Sequence, residues 1–232
     1  MQPVPQNYMA YDRTIVVFSP DGRLLQVEYA RQAVKRGSTC IGLRTKDAII
    51  LGAIKTSAQL AVNDTYKKIY ELDEHIGAVS SGLLADARTL VHAARIKAQL
   101  NRITYGTPIS VLSLAKFISN QIHLVTQYAG VRPYGVGLLI GGVDNKPRLF
   151  ETDPSGTLLE WKAQAIGRGS EKAKKVFVSS YKDGMSVKDG IKLALKALKS
   201  GEKDVKEGDM EFAIIEKGRF VKFSGKDIGK YS

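Results

Sequence analysis

Few residues in this chain have the types and spacing for chemistry. Gly37-Ser38-Thr39-Cys40 sets two hydroxyls and the single thiol of the chain in succession. Each is a conceivable nucleophile, provided that a base stands beside it. The three histidines, His75, His92 and His123, are widely spaced. With no HxxxH pair and no Cys/His cluster, they give a zinc site little support, and no metal is expected. The plainer reading of each is a surface or helix-face histidine. Gly167-Arg168-Gly169 before a helix start resembles a phosphate cradle. It lacks the third glycine of a dinucleotide fingerprint and the Gly-Lys-Ser/Thr of a P-loop. It reads as a strand-to-helix turn, and no cofactor is expected.

The elements around these residues are readable from pattern. Tyr11 to Gly37 reads YDRTIVVFSPDGRLLQVEYARQAVKRG, a unit of three pieces: a Tyr-Asp-Arg triplet, a turn at Ser19-Pro20-Asp21-Gly22, and an amphipathic helix. Ser19-Pro20 suits a cap and first turn. Leu24, Val27, Ala30 (with Arg31) and Val34 give the helix one apolar face. Lys35 and Arg36 suit its last turn, and Gly37 its stop. Beyond it, TCIGLR and AIILGAI flank a Thr45-Lys46-Asp47 turn, and KKIYEL and HIGAVSS flank Asp73-Glu74. Two long helices follow. One has a face of Leu83, Ala87, Leu90, Val91, Ala94 and Ala98. The other starts at Thr107-Pro108 and has a face of Val111, Leu114, Ala115, Ile118, Ile122 and Val125. The chain then returns to strands at VGLLIGGV, PRLFET, TLLEWKA and QAIGRG, with a turn at Asp153-Pro154-Ser155-Gly156. Helices are expected after Ser170 and after Ser186, the latter with Asp189 as a capping-box acid. EFAIIE and RFVKF close the chain around Lys217-Gly218. Blocks of strands alternate with pairs of helices, so antiparallel sheets covered by helix pairs, an α+β sandwich, fit best. No linker or internal repeat appears, which gives one domain preceded by an extension.

A chain of 232 residues can bury a substantial core. Its net charge of +12 suggests acidic partners, nucleic acid being the usual first thought. The lysines, however, are spread over several helices, with small groups at Lys172-Lys174-Lys175 and Lys196-Lys199. No aromatic-interleaved RNA-binding signature or zinc-finger spacing appears, so the basicity reads as a solvated Lys-rich surface. One cysteine allows no intrachain disulfide, which agrees with a reducing compartment. No apolar run approaches the roughly 18 to 20 residues of a membrane span, and MQPVPQNYMA lacks the charged and apolar regions of a secretory signal. The expectation is a cytoplasmic protein whose residues 1–10, polar and carrying Pro3 and Pro5, form a flexible tail.

The run YDRTIVVFSPDGRLLQVEYARQAVKRGST resembles the N-terminal signature of proteasome alpha subunits, most closely the prokaryotic (archaeal-type) form of the 20S core particle. The similarity continues through SSGLLADAR (Ser80 to Arg88), QYAGVRPYGVGLLIGGVD (Gln127 to Asp144) and LFETDPSGT (Leu149 to Thr157), and so covers nearly the whole chain. It implies the four-layer αββα sandwich of N-terminal-nucleophile hydrolases. Residues 1–10 would be a gate tail, 11–37 an extension with a ring-packing helix, and 38–232 the core domain.

The same resemblance tests the nucleophiles. Active beta relatives expose a Thr by self-cleavage after a Gly and use its amine as base. Aligning Ser38 with that Thr leaves a lysine, Lys68, but puts Ile54 where they carry an acid. The capped, apolar-faced helix upstream does not look like a disposable propeptide. The resemblance therefore implies a non-catalytic subunit of a threonine-type endopeptidase complex. A self-processed hydrolase using Ser38 or Thr39, and a basic nucleic-acid binder, are the alternatives.

What else it implies is a heptameric outer ring, seated on proteasome beta subunits, whose tails gate entry of unfolded protein. Tyr11, Asp12, Arg13, Pro20 and Tyr29 match the cluster that holds the gate open. Lys68 matches the lysine that meets the C-terminal carboxylate of an ATPase activator ring. It is taken over Lys67 because it directly precedes Ile69-Tyr70, as in the family. Leu24, Gly37, Gly82 and Leu83 match the lining of that intersubunit pocket. Tyr128, Gly130, Arg132 and Tyr134 fall in the segment of the inner pore constriction.

Overall fold

The computed structural model describes residues 13, 16–55, 60, 66–202 and 205–230. Tyr11 and Asp12 lie outside the described residues. The described chain runs α1 (Leu25–Arg36), β1 (Cys40–Arg44), β2 (Ile49–Ile54), β3 (Ile69–Asp73), β4 (Ile76–Gly82), α2 (Leu84–Tyr105) and α3 (Val111–Val125). It continues β5 (Val136–Val143), β6 (Pro147–Thr152), β7 (Leu158–Glu160), β8 (Ala163–Ile166), α4 (Ser170–Ser180), α5 (Val187–Gly201), β9 (Met210–Glu216) and β10 (Arg219–Ser224).

Two five-stranded antiparallel sheets form, ordered β10-β9-β2-β1-β8 and β3-β4-β5-β6-β7. Alternation decides what each strand does. On β2, Ile49, Leu51 and Ala53 point between the sheets with Cys40, Val79, Leu139, Leu149 and Ala213. Ile50 and Ile54 point the other way, beneath α4 and α5, with Phe177, Ile191, Leu198 and Phe212. The second sheet turns Ala78, Leu138, Ile140 and Phe150 towards α2 and α3. Both faces of each sheet are thus covered, and β2 and β5 are buried along their whole lengths. Each fully buried Leu or Ile contributes on the order of 1.5–3 kcal/mol. This is the expected αββα sandwich.

Several boundaries differ from the pattern. TLLEWKA is not one strand: the chain leaves β7 after Glu160 and reaches the other sheet as β8 from Ala163. Thr107-Pro108 does not start α3; Ser110 does, its Oγ accepting from Ser113 N–H at 3.1 Å. Ser186 caps α5 as expected, accepting from Asp189 N–H at 3.1 Å, but its hydroxyl also donates to the Asp189 carboxylate at 2.7 Å. His75 is buried rather than a surface histidine, its Nε2 2.9 Å from the Ile109 carbonyl.

α1 also begins later than expected. Ser19 closes a turn of its own: its carbonyl accepts from Gly22 N–H at 2.8 Å and its N–H donates to Arg23 O at 2.9 Å. Its hydroxyl donates to Asp21 at 2.5 Å. Leu24, which cannot cap, precedes the helix, and Leu25 with Val27 and Val34 supplies its buried face.

Candidate functional site

The far end of α1 meets both sheets at a crowded point. Gly37 stops the helix in an extended conformation, φ −63° and ψ 155°, so no left-handed geometry requires glycine there. Space does: a Cβ on Gly37 would lie 2.3 Å from Ser81 Oγ and 2.5 Å from Gly82 N. Arg168 N–H donates to Gly37 O at 2.9 Å, tying in the turn after β8. Gly82 is itself constrained, with φ +112° and only 2.2 Å between a notional Cβ and Gly135 O. Leu83 N–H donates to that same carbonyl at 2.9 Å, and the Leu83 side chain is left 46% exposed.

Lys68 completes this point. Lys67 is exposed, whereas Lys68 is 3% exposed. The Lys68 ammonium donates to Ser38 O at 3.1 Å and to Ser38 Oγ at 2.5 Å, while Ser38 Oγ donates to Ile54 O at 2.6 Å. A lysine donating to a hydroxyl is not acting as its base, and the serine proton is already committed to a carbonyl. Thr39 is completely buried; its N–H and hydroxyl both donate to Glu202 Oε1, at 2.7 and 2.8 Å, and its Oγ1 accepts from Gly169 N–H at 3.0 Å. Burial pushes the Glu202 carboxyl up, but hydrogen bonds from Arg168 and Thr39 outweigh it and hold the group below the usual carboxylate range. Cys40 is fully buried, its thiol donating to Ser80 O at 3.1 Å, and burial pushes its pKa up. All three candidate nucleophiles are therefore spent on structure.

Gly37, Lys68, Gly82 and Leu83 are thus brought together, but Leu24 is not with them. It stands at the other end of a 12-residue helix, about 18 Å away at 1.5 Å per residue. There it lines an open hollow of about 420 Å³ with Val27, Asn120, His123 and residues 155–157.

The residues read as gate and constriction partly merge. Arg13, Gly130 and Arg132 line one shallow hollow of about 320 Å³, together with Val16, Gln26 and Val131. Pro20 sits exposed in the Ser19–Gly22 turn, and Tyr29 is 43% exposed on α1. The Asp21 carboxyl there is held low by the Ser19 hydroxyl. Tyr128 is exposed, whereas Tyr134 is half-buried against the α2–α3 core.

Asp86, which sequence reasoning missed, organises this loop. Arg132 forks onto both of its carboxylate oxygens at 2.7 Å, and Gly135 N–H donates to Oδ2 at 2.8 Å. Burial raises the Asp86 pKa, but Arg132 and Gly135 overcome it and leave the carboxyl below its ordinary value. An acid in a first helical turn is commonplace, and nothing in the sequence marks Asp86 and Arg132, 46 positions apart, as partners.

Among the described residues, no group of three or more His, Cys, Asp or Glu is arranged to hold a metal ion, and no helix is long and apolar enough to cross a membrane.

Comparison with known proteins agrees with this architecture. The family model "Proteasome subunit" matches residues 34–215, and the model of the N-terminal signature of A-type proteasome subunits matches residues 11–33. A "Proteasome subunit alpha" of Methanoregula boonei is 49% identical over 232 residues, covering 98% of this chain and 97% of its own. Its counterpart in Thermococcus sibiricus is 47% identical over 223 residues, 95% of this chain and 86% of its own. That of Archaeoglobus fulgidus is 56% identical over 191 residues, 82% of this chain and 78% of its own. Sheets, spent nucleophiles and N-terminal signature agree: the chain belongs to the proteasome subunit family and is a non-catalytic subunit of the alpha type.

Proposed function

We propose that this alpha subunit forms a seven-membered outer ring on the beta rings of the 20S particle. In this reading residues 1–10 gate substrate entry, and pockets between neighbours dock the C-termini of an ATPase activator. The observation that carries the proposal is the separation along α1. Lys68, Gly37, Gly82 and Leu83 stand at one end, Leu24 and its hollow at the other, about 18 Å apart. One chain cannot close them into one pocket, whereas a second copy placed beside the first can supply the missing wall. Lys68 fits such a pocket because Ser38 takes two of its three N–H donors, leaving one for an incoming carboxylate. Seven such pockets would add avidity. Val16, Val17, Phe18, Tyr29 and Leu83, all more than a third exposed, supply apolar surface for neighbours to cover. The cytoplasm is the proposed location.

Native mass spectrometry of the purified chain, alone and with a beta subunit, tests the ring. Full-length chains in sevenfold rings that stack with the beta subunit are the expected result; a monomer beginning at Ser38 would overturn it in favour of a self-processed hydrolase. Deleting residues 2–11 should speed peptide hydrolysis by the assembled particle. Lys68→Ala should abolish stimulation by activator C-terminal peptides, and undiminished stimulation would remove Lys68 from the docking site.

A further inference from the structure

The net charge of +12 is not used by gating or docking, and five of those charges come from one helical layer of the fold. Between residues 170 and 201 stand eight lysines against three acidic residues, with no arginine. Lys188, Lys192, Lys196 and Lys199 recur at helical spacing on α5, and all four are exposed. At 1.5 Å per residue they form a line of about 16 Å with neighbouring Cβ atoms about 6 Å apart. Lys172 and Lys175 add exposed charge on α4, beside Val178 at 89% exposure. Lys199 is paired with Glu207 at 2.7 Å. The acids of the two helices do not neutralise the line. Glu171 belongs to the first turn of α4, and Asp189 is occupied capping α5 with Ser186. The inward side of α5 is fixed by Ile191, Leu193, Ala194, Ala197 and Leu198 against the sheet.

We propose that the α4–α5 face docks a protein partner through an acidic helix. A helix with glutamates every three or four residues repeats its side chains at the same interval of about 6 Å, so Lys188, Lys192 and Lys196 can each meet a carboxylate. Nucleic acid fits less well. The two helices lie side by side, too wide together for a major groove of about 12 Å. Their exposed residues include no aromatic side chain for base stacking and no arginine fork for phosphate or guanine. Val178 gives the same face an apolar contact that a protein partner can use and a phosphate backbone cannot.

The test is fluorescence anisotropy of the full chain with two probes at low salt: a glutamate-striped helical peptide of roughly 20 residues, and a DNA duplex of similar length. The expected result is peptide binding that is tighter than duplex binding and that falls as salt rises through the physiological range. The K188Q/K192Q/K196Q variant should bind the peptide about tenfold more weakly, as for three exposed ion pairs lost, with unchanged thermal melting because glutamine suits a helix. Neutralising Lys116, Lys146 and Lys217, exposed elsewhere, should leave binding intact. Equal loss in both variants, absence of peptide binding, or tighter duplex binding through the same three lysines would overturn the proposal. The last of these would assign the face to nucleic acid.

Discussion

Asp86 offers the sharpest test of how the loop before β5 is held. Asp86→Ala removes three hydrogen bonds at once: two from the Arg132 fork and one from Gly135 N–H. The Arg132 side chain is 62% exposed, so solvent screening reduces the fork to about 1 kcal/mol. The Gly135 N–H is buried, and leaving it without an acceptor costs a further ~1–3 kcal/mol. The total of ~2–4 kcal/mol corresponds to a fall in Tm of about 4–16 °C for a chain of this size. Asp86→Asn keeps an acceptor for Gly135 and loses mainly the charge, so its cost should stay near ~1 kcal/mol. The folded pKa of Asp86 lies below the unfolded one. Its contribution is therefore fully present above the unfolded value of about 3.9, and is lost as pH falls through the folded value. Urea melts at fixed protomer concentration, at neutral pH and below about pH 4, with hydrogen exchange at the Gly135 amide, measure all of this. Equal costs for the Ala and Asn variants, or unchanged protection of Gly135 in Asp86→Ala, would refute the account.

Further outcomes concern the crowded end of α1, with Gly130 as an uncrowded contrast. Gly82→Ala should cost more than about 3 kcal/mol or prevent accumulation, because strain adds to a backbone clash. Gly130→Ala, at φ +85° with nothing within 4 Å of its notional Cβ, should cost only about 1–2 kcal/mol; equal melting curves for the two variants would contradict this. The Cys40 thiol should resist thiol reagents until global unfolding, and rapid labelling of the native chain would show that β1 opens locally. Glu202→Gln should cost about 1 kcal/mol at neutral pH, with the difference from wild type shrinking as pH falls through the lowered Glu202 pKa. A pH-independent difference would show that charge is not what Glu202 contributes.

Much of the fold was legible because burial imposes simple periods. Alternation along AIILGAI distinguishes Ile49, Leu51 and Ala53 from Ile50 and Ile54, and the three-and-four spacing of α2 and α3 is the face they bury, except that Leu83 precedes α2 and is exposed and Val125 is only half-buried. What was illegible depends on long-range geometry. The break between Glu160 and Ala163 has no propensity signal, since the chain there changes sheets within a continuous polar-apolar pattern. Leu24 and Leu25 are indistinguishable by type, and only packing decides that Leu25 is the buried one. The resemblance supplied Lys68 and Gly37 as names. It could not give the 2.5 Å from Lys68 to Ser38 or the clash that any side chain on Gly37 would meet. Asp86 and Arg132 join through space alone.

The contact between Lys68 and Ser38 constrains which sequences this lineage can pass through. Exchanging either residue alone strands a buried polar partner: an ammonium without its acceptors, or a serine oxygen and carbonyl without their donor. Each single step carries a folding penalty whether or not the site has any chemistry to perform. Selection for stability alone is therefore enough to retain a lysine–hydroxyl pair at this position. It also keeps a buried cation in place where α1 meets the two sheets, a charge held by folding rather than by any reaction.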